Sequence, residues 1–464
     1  MGKKIRFCIL DVYPNNNHRI CKDTAGGYGT GNNFGSSFFS KALSTFTNSL
    51  ISQPSMYVGY VLSIINNTKN AEVSYERSIN TKVKEADFII LCSSIVAHET
   101  EIETLNYIND VLKKKIFVVG IFSNIVSEPY LKENSVIIEG EPENFFLKLV
   151  YEFEKLNNYF TNSNKKISAG MVNNLDELPF PQWDYYLKKY KLKNHFLGYN
   201  FNIAIPLLAT RGCPYSCFNY CTYPLQQGRK VRFRSAKNIV EEIKYWNEKI
   251  KKPKFVFRDP VFSINRKFTL DLCKEIINSK LNIEYLMETH LNNLDDELID
   301  LLKSSGLKLV YVGVESKHED VLADIDRFTI KEDKQINVIK KLEDKKIAVK
   351  SMFMIGNPAD DLEKIKQTIN YSKKLPNQLV QFSVFTPYPG TPIFKNFKNI
   401  LIENKYEKFN QYNLIFKHKN FSKEDIIRLK NLAYKSYYLR IKTIRLIFFF
   451  LKNLFFKTLN ISFR

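Results

Sequence analysis

The sequence predicts an α/β protein: an N-terminal doubly wound parallel sheet, then a partial (β/α)6 barrel, then a helical C-terminal tail. Three observations predict this. Residues 1–150 alternate short apolar runs with segments of helical period, and the same alternation returns as six strand–helix units between 201 and 395. Between them, residues 151–200 mix charged and aromatic side chains and contain Leu178-Pro179-Phe180-Pro181-Gln182-Trp183-Asp184, whose prolines forbid a long helix. Strands that alternate with helices build parallel sheets with crossover helices. A chain of 464 residues also exceeds one ordinary domain. We expect an α/β unit at 1–150, a linker at 151–200, the barrel at 201–395 and a basic, amphipathic helical region at 396–464.

In the first unit, strands are expected at residues 5–12, 86–92, 116–121 and, briefly, 136–138. Residues 100–114 carry Ile102, Leu105, Ile108 and Leu112 at helical spacing. Such sheets bind ligands at the carboxyl ends of their strands. Ser93-Ser94-Ile95-Val96 and Glu139-Gly140-Glu141-Pro142-Glu143 are therefore candidate pocket walls, with Ser93, Ser94, Gly140 and Glu141 foremost. Gly26-Gly27-Tyr28-Gly29-Thr30-Gly31 offers bare amides that could cradle an anion. It follows the first strand too distantly for a dinucleotide fingerprint, and a binding loop and a plain connector both fit it.

In the second unit, strands are expected near 203–209, 254–258, 284–289, 309–314, 349–355 and 379–386. Helices are expected near 236–250, 266–279, 294–304, 331–345 and 361–374. The first strand empties into Arg211-Gly212-Cys213-Pro214-Tyr215-Ser216-Cys217-Phe218-Asn219-Tyr220-Cys221, which places three of seven cysteines within nine residues. Structural zinc takes four closed ligands, whereas three thiolates hold three irons of a cubane cluster and leave the fourth open. No fourth Cys or His stands nearby at zinc-finger spacing, so we read an iron–sulfur site, shielded by Tyr215, Phe218 and Tyr220. The other strand ends bring Arg258-Asp259, Glu288-Thr289-His290, Glu315-Ser316, Gly356-Asn357-Pro358 and the turn from Thr386 to Pro392, containing Pro387 and Tyr388, to the same rim. Charged groups at successive strand ends are hard to explain as core. His290 fits a substrate-facing role and a structural one equally.

Cys8, Cys21, Cys92 and Cys273 are scattered without pairing logic, which argues against a disulfide framework. No basic leader with an apolar core opens the sequence, and a cytoplasmic protein is expected. The formal charge of +21, from 69 Lys+Arg against 48 Asp+Glu, fits nucleic acid, an anionic membrane or an acidic substrate, and it also fits a lysine-rich coding bias. From Phe421 the tail reads as helix. After Asp425 it has no acidic residue, and its basic residues interleave with Ile444, Leu446, Phe448, Phe449, Phe450, Leu454 and Phe455. The apolar run is far short of the roughly 20 residues that span a bilayer. A helix lying on the inner membrane face and a helix packed on the barrel both fit.

The cysteine stretch resembles the cluster loop of radical S-adenosylmethionine (SAM) enzymes. That family usually separates its cysteines by three and then two residues, and here the second gap holds three. Residues 1–150, with the Gly-Glu-Pro-Glu segment, resemble the cobalamin-binding domain of a large radical SAM subclass. The Asp-x-His-x-x-Gly motif that ligates cobalt in many such domains does not occur, since Asp11 is followed by Val12-Tyr13-Pro14. The resemblance implies a [4Fe–4S] cluster on the catalytic cysteines Cys213, Cys217 and Cys221, SAM as cosubstrate and cobalamin as second cofactor. It places Asp259 near the methionine amino group, Glu315 near the ribose, and Gly356, Asn357, Pro387 and Tyr388 around adenine and methionine. The implied activity is cleavage of SAM to a 5′-deoxyadenosyl radical and methyl transfer to an unactivated carbon. The substrate would be a small molecule, a peptide or a lipid-linked compound, and the reductant a flavodoxin or ferredoxin; nucleic acid is not the expected partner. Radical cyclisation or rearrangement, methylthiolation of transfer RNA, and a non-enzymatic iron–sulfur sensor are the alternatives.

Overall fold

The computed structural model describes residues 4–440 apart from 16–18, 32, 39, 42–43, 45–53, 162, 186 and 188–203. The apolar runs of the first half become β1 (Ile5–Leu10), β2 (Ala71–Glu76), β3 (Phe88–Cys92), β4 (Lys115–Val119), β5 (Ser135–Gly140) and β6 (Lys166–Gly170). They form one parallel sheet in the order β2-β1-β3-β4-β5-β6. This is a doubly wound order whose direction reverses between β1 and β3, and the crevice outside those two strand ends is where such sheets bind ligands. Among the elements that were not expected, two are large. α1 (Met56–Asn66) is buried on almost every side and has no amphipathic stripe to reveal it, and β2 alternates buried and exposed residues over only six positions. Within the proline-bearing segment 151–200, Lys166–Gly170 pairs with β5 and extends the sheet.

The second half builds β7 (Ala204–Leu207), β8 (Lys254–Phe257), β9 (Glu284–Thr289), β10 (Leu307–Glu315), β11 (Ala348–Ile355) and β12 (Leu379–Val384). All six are parallel and lie side by side in chain order. Among the described residues β7 and β12 do not pair with each other, so the barrel is open. The crossover helices are Ala236–Lys249, Arg266–Asn278, Asp296–Ser304, Glu332–Asp344 and Leu362–Lys374. Ser235, Asn265, Asp295 and Asp361 cap the N-termini of four of them through their side chains, which satisfies backbone amides the helix itself cannot.

The final described helix, Lys423–Tyr438, opens with a capping box between Ser422 and Asp425 and packs on edge strand β12. Its tyrosines serve that edge directly. Tyr434 Oη donates to Phe382 O at 3.0 Å, Tyr438 Oη to Val380 O at 2.9 Å, and Tyr437 Oη to Asn377 O at 2.8 Å. An open sheet edge is a hazard that such contacts remove. The Phe-rich stretch from Ile444 onward lies outside the described residues.

One hydrophobic core runs through both halves, from Leu10 and Leu91 to Leu207, Phe353 and Tyr434. The glycine-rich loop after β1 is part of it. Tyr28 is buried, donates to Pro389 O at 2.6 Å and lies 5.3 Å from the Tyr388 ring. Gly26 has φ +56, and a Cβ there would lie 2.7 Å from Thr222 O. Of the two readings of this loop, the connector describes it: its glycines are used for close backbone approach between the halves.

Candidate functional site

The cysteine loop begins where β7 ends and is held from below by Asp259. Its carboxylate accepts from Ala209 N at 3.1 Å, from Thr210 Oγ1 at 2.7 Å and from Thr210 N. Burial pushes this carboxyl up to about 6, against the pull of those hydrogen bonds. These bonds fall chiefly on Oδ1 and make Asp259 a residue that positions the loop, a use the sequence reading, which set it near the methionine amino group, did not include. Gly212 follows with φ +99, and a Cβ there would stand 2.2 Å from Lys230 O, so only glycine lets the two backbones pass.

Cys213 and Cys217 are buried and Cys221 is half-buried. The three-residue second gap is absorbed as a full helical turn: Ser216–Asn219 is a short helix, and Cys221 N donates to Cys217 O at 2.9 Å. That turn brings the last two thiols together, and the Cys221 contact lowers Cys217 to about 6 despite burial, with help from Arg327. Arg327 Nη1 lies 3.8 Å from Cys217 Sγ, and its Nη2 donates to Gly313 O at 3.0 Å and lies 3.7 Å from Glu315 Oε1. Among the described residues no three His, Cys, Asp or Glu side chains converge on one point as ligands of a single ion. A cubane cluster asks for something different, one iron per thiolate, and three cysteines of one loop beside a guanidinium that offsets their charge fit it.

Glu315 ends β10 beside that guanidinium. It has φ +65, in the left-handed region that costs a non-glycine residue energy, and a bulge interrupts the register with β11 just before it. Burial raises its carboxyl above the usual range. Gly356 and Asn357 follow β11. Asn357 is buried, donates to Met354 O at 3.1 Å and accepts from His418 through its carbonyl, while its Oδ1 meets no hydrogen-bond partner among the described residues. Pro387 and Tyr388 lie on the turn that packs against Tyr28. His290 is buried between the rings of Tyr215 and Phe328, and burial lowers it to about 4, which favours its structural reading.

Across from the cysteine loop stand the strand ends of the first sheet. A pocket with about 520 Å³ of empty space, part of it open to solvent, lies between them, lined by Tyr57, Gly120, Gly140, Glu141, Arg211 and Arg258 among others. Its walls are tied together by charge. Arg211 reaches Glu141 at 3.1 Å and Glu143 at 2.8 Å, and Arg232 reaches Glu141 at 2.8 Å. Burial opposes the charged form of Glu141, but the two guanidiniums hold it below the ordinary carboxylate range. Glu141 therefore belongs to the wall between the halves and is not a free ligand, whereas Gly140 lines the cavity with backbone. Ser93 Oγ donates to Ser123 Oγ at 2.9 Å, and Ser94 Oγ donates to Glu101 at 2.8 Å.

Glu101 belongs to a group that the sequence did not reveal. Lys22 is fully buried between Asp11 Oδ1 at 2.9 Å and Glu101 Oε1 at 2.8 Å, directly at the switch between β1 and β3. Tyr75 Oη donates to Asp11 at 2.7 Å and Tyr130 Oη to Glu101 at 2.8 Å. His98 contacts Tyr130 Oη through Nδ1 at 3.0 Å and faces the Phe122 ring, so this imidazole is part of the packing.

The barrel interior carries a second unexpected arrangement. Val256, Leu286 and Leu309 form an apolar layer on the inner face, with Ala348 packed beside it. Two residues further along each strand, on the same face, come Arg258, Glu288, Tyr311 and Lys350. Register sets Glu288 beside Tyr311 and Tyr311 beside Lys350. Asp23, from the loop after β1, pairs with Arg258 at 2.9 Å, and Lys350 Nζ lies 4.6 Å over the Tyr311 ring. Burial pushes Glu288 up to about 7, against Arg258, and lowers Lys350 to about 8, against Glu288.

With this geometry, residues 207–372 match the radical SAM superfamily. The match sets a radical SAM domain at residues 207–372. An uncharacterized methyltransferase of Pyrococcus horikoshii is 29% identical over 277 residues, which is 59% of this chain and 58% of the relative. The bacteriochlorophyllide d C-12(1)-methyltransferase of Chlorobaculum tepidum is 25% identical, with 69% of each chain covered. The match thus spans 58% and 69% of the length of these two curated relatives. The fold is shared with the radical SAM methyltransferase TsrM of Kitasatospora setae, solved with cobalamin and a [4Fe–4S] cluster (TM-score 0.60, 13% identity, 85% of this chain and 75% of that one). It is shared as well with the cobalamin-dependent radical SAM enzyme OxsB (TM-score 0.64, 13% identity, 93% of this chain and 66% of that one).

Proposed function

We propose that this protein is a cobalamin-dependent radical SAM methyltransferase acting on an unactivated carbon. One observation carries the reading: a three-cysteine loop at the carboxyl rim of an open barrel faces, across a shared pocket, the carboxyl ends of a doubly wound sheet. Cys213, Cys217 and Cys221 would hold the [4Fe–4S] cluster, and the glycine-bearing strand ends at Gly120 and Gly140 would meet the cobalamin. His98 is engaged in packing, so a cobalamin there would have no imidazole from this residue beneath it. Bound together, these groups supply one-electron cleavage of SAM and a transferable methyl group.

The chain's own residues do the rest. Asp259 fixes the loop, and Arg327 offsets charge at Cys217 and orients Glu315 toward a ligand hydroxyl. The buried Arg211–Glu141–Arg232 wall keeps water out of the space between the halves. The domain limits at 200 and 395 follow the same division, whereas the first unit runs past 150 to include Lys166–Gly170. A flavodoxin or ferredoxin would deliver the electron. Among the described residues no helix is long and apolar enough to cross a membrane, and a peripheral contact through the region after Arg440 belongs to this proposal as well.

A second reading has one supporting observation. An anaerobic magnesium-protoporphyrin IX monomethyl ester cyclase of Cereibacter sphaeroides is 23% identical over 79% of this chain, which favours radical cyclisation with the same cofactors. The test is anaerobic reconstitution with iron, sulfide and hydroxocobalamin. About four irons and one cobalamin per chain, with 5′-deoxyadenosine formed from SAM, support the proposal. Cys213→Ala, Cys217→Ala and Cys221→Ala should each lose most of the iron. Iron without retained cobalamin would leave a simpler radical enzyme, and absence of iron would overturn the reading.

A further inference from the structure

The inner row of the barrel is built for a charged ligand. Arg258, Glu288, Tyr311 and Lys350 occupy four neighbouring strands at one level, above the apolar layer of Val256, Leu286 and Leu309. A molecule entering from the cysteine rim therefore meets a polar floor whose underside is closed. A charged side chain on a strand's inner face costs desolvation unless it is paired. Asp23 answers Arg258 at 2.9 Å and Arg327 lies 3.7 Å from Glu315, so those two pairs are internally balanced. Among the described residues the Glu288 carboxylate and the Lys350 ammonium make no hydrogen bond or salt bridge. Lys350 Nζ lies over the Tyr311 ring, 4.6 Å from its centroid. Arg19 adds its field to both Tyr311 and Lys350. Around this row three cations, Arg19, Arg258 and Lys350, act on two carboxylates, Asp23 and Glu288, and the side chains of Glu288 and Lys350 keep some exposure.

We propose that this row is the substrate anchor and that the substrate carries an oxyanion, a carboxylate or a phosphate, which pairs with Lys350 while Glu288 accepts a hydrogen bond from the adjoining part of the molecule. The inference rests on the barrel being the reaction chamber, and it narrows the substrate class to acids or phosphate esters. Tyr311 stands between the two in register, so they interact without forming a direct ion pair. Asp23, joined to Arg258, brings the loop from the first half over the anchored end.

The experiment uses the full-length reconstituted protein, with inorganic phosphate and acetate as probes and tetramethylammonium as the cationic control. Binding is followed by broadening of the phosphorus and methyl resonances. At least one anion should bind the natural protein. Its Kd should weaken about tenfold or more in Lys350→Gln, return to within about threefold in Lys350→Arg, and tighten in Glu288→Gln through loss of the like charge. Phosphate binding alone assigns a phosphate ester, and acetate binding alone a carboxylic acid. Failure of both anions to bind, or equal binding by Lys350→Gln, overturns the proposal. Thermal melting checks that each variant folds, and if Lys350→Gln does not, Glu288→Gln and Lys350→Arg carry the test. Formation of 5′-deoxyadenosine by the natural protein is scored separately. A Lys350-dependent anion site in a protein that cleaves no SAM would overturn the radical reading and leave the anion site standing.

Discussion

At the scale of single residues, the site separates groups that hold the loop from groups that face the ligand. Asp259 is of the first kind, and its removal is specific. Asp259→Ala leaves the amides of Ala209 and Thr210 buried without an acceptor, at about 1–3 kcal/mol each. The cysteine loop then loses its fixed start. We expect iron retained after reconstitution to fall at least threefold, and iron content equal to that of the natural protein would disprove the positioning role. Glu288 is of the second kind, and its titration has a sign that can be checked. Its folded value is raised to about 7, from an ordinary 4.5, so the folded chain holds a proton there that the unfolded chain has released. Its contribution to stability is therefore lost as pH rises from about 4.5 to 7, by no more than about 3 kcal/mol. Glu288→Gln should melt at a higher temperature than the natural protein above pH 7, and the gap should close toward pH 4.5. A gap that widens on acidification would refute the assignment.

At the scale of elements, the strands and helices that repeat with clear period were legible in the sequence, and those whose burial is decided by neighbours were not. All six barrel strands and all five crossover helices stand where alternation placed them, because each helix has one apolar face and each strand ends in turn residues. α1 hid because it is buried nearly all round, and β2 because six alternating residues are too few to distinguish from a loop. The cysteine loop was legible as a motif, and so were Arg258 and Glu288 as strand ends. Lys350 was missed because a lysine inside an apolar strand reads as a surface position until the register with Tyr311 is known. Lys22 was missed because its partners Asp11 and Glu101 are far apart in sequence. The second cysteine gap shows how an element can absorb a departure. The turn across Ser216–Asn219 uses its extra residue fully, since Asn219 O also accepts from Ile393 N at 3.0 Å, past β12. Deleting Asn219 restores the commoner spacing and removes that tie. We expect the shortened loop to retain less iron than the natural protein, and equal or greater retention would show that spacing alone governs cluster binding.

At the scale of the molecule, the two sheets are joined through buried charge as much as through the common core. Arg211 stands one residue before Gly212 and is bonded to Glu141 and Glu143 at the end of β5, so the cluster loop and the first sheet share a single ionic joint. Removing one member of such a joint costs more than the joint contributes, because the remaining charge is left buried without a partner. Arg211→Met should therefore destabilise the protein by about 3–5 kcal/mol, seen as a lower melting temperature. Adding Glu143→Gln to that variant should recover part of the loss, since it removes the orphaned carboxylate. The two sites lie in one network, so their effects should couple rather than add. Iron retention should follow the same order, natural protein above the double variant and the double variant above Arg211→Met. If the second substitution deepens the loss, Glu143 contributes to stability independently of Arg211, and the cluster loop is seated by the apolar contacts of Tyr28 and Tyr388 instead.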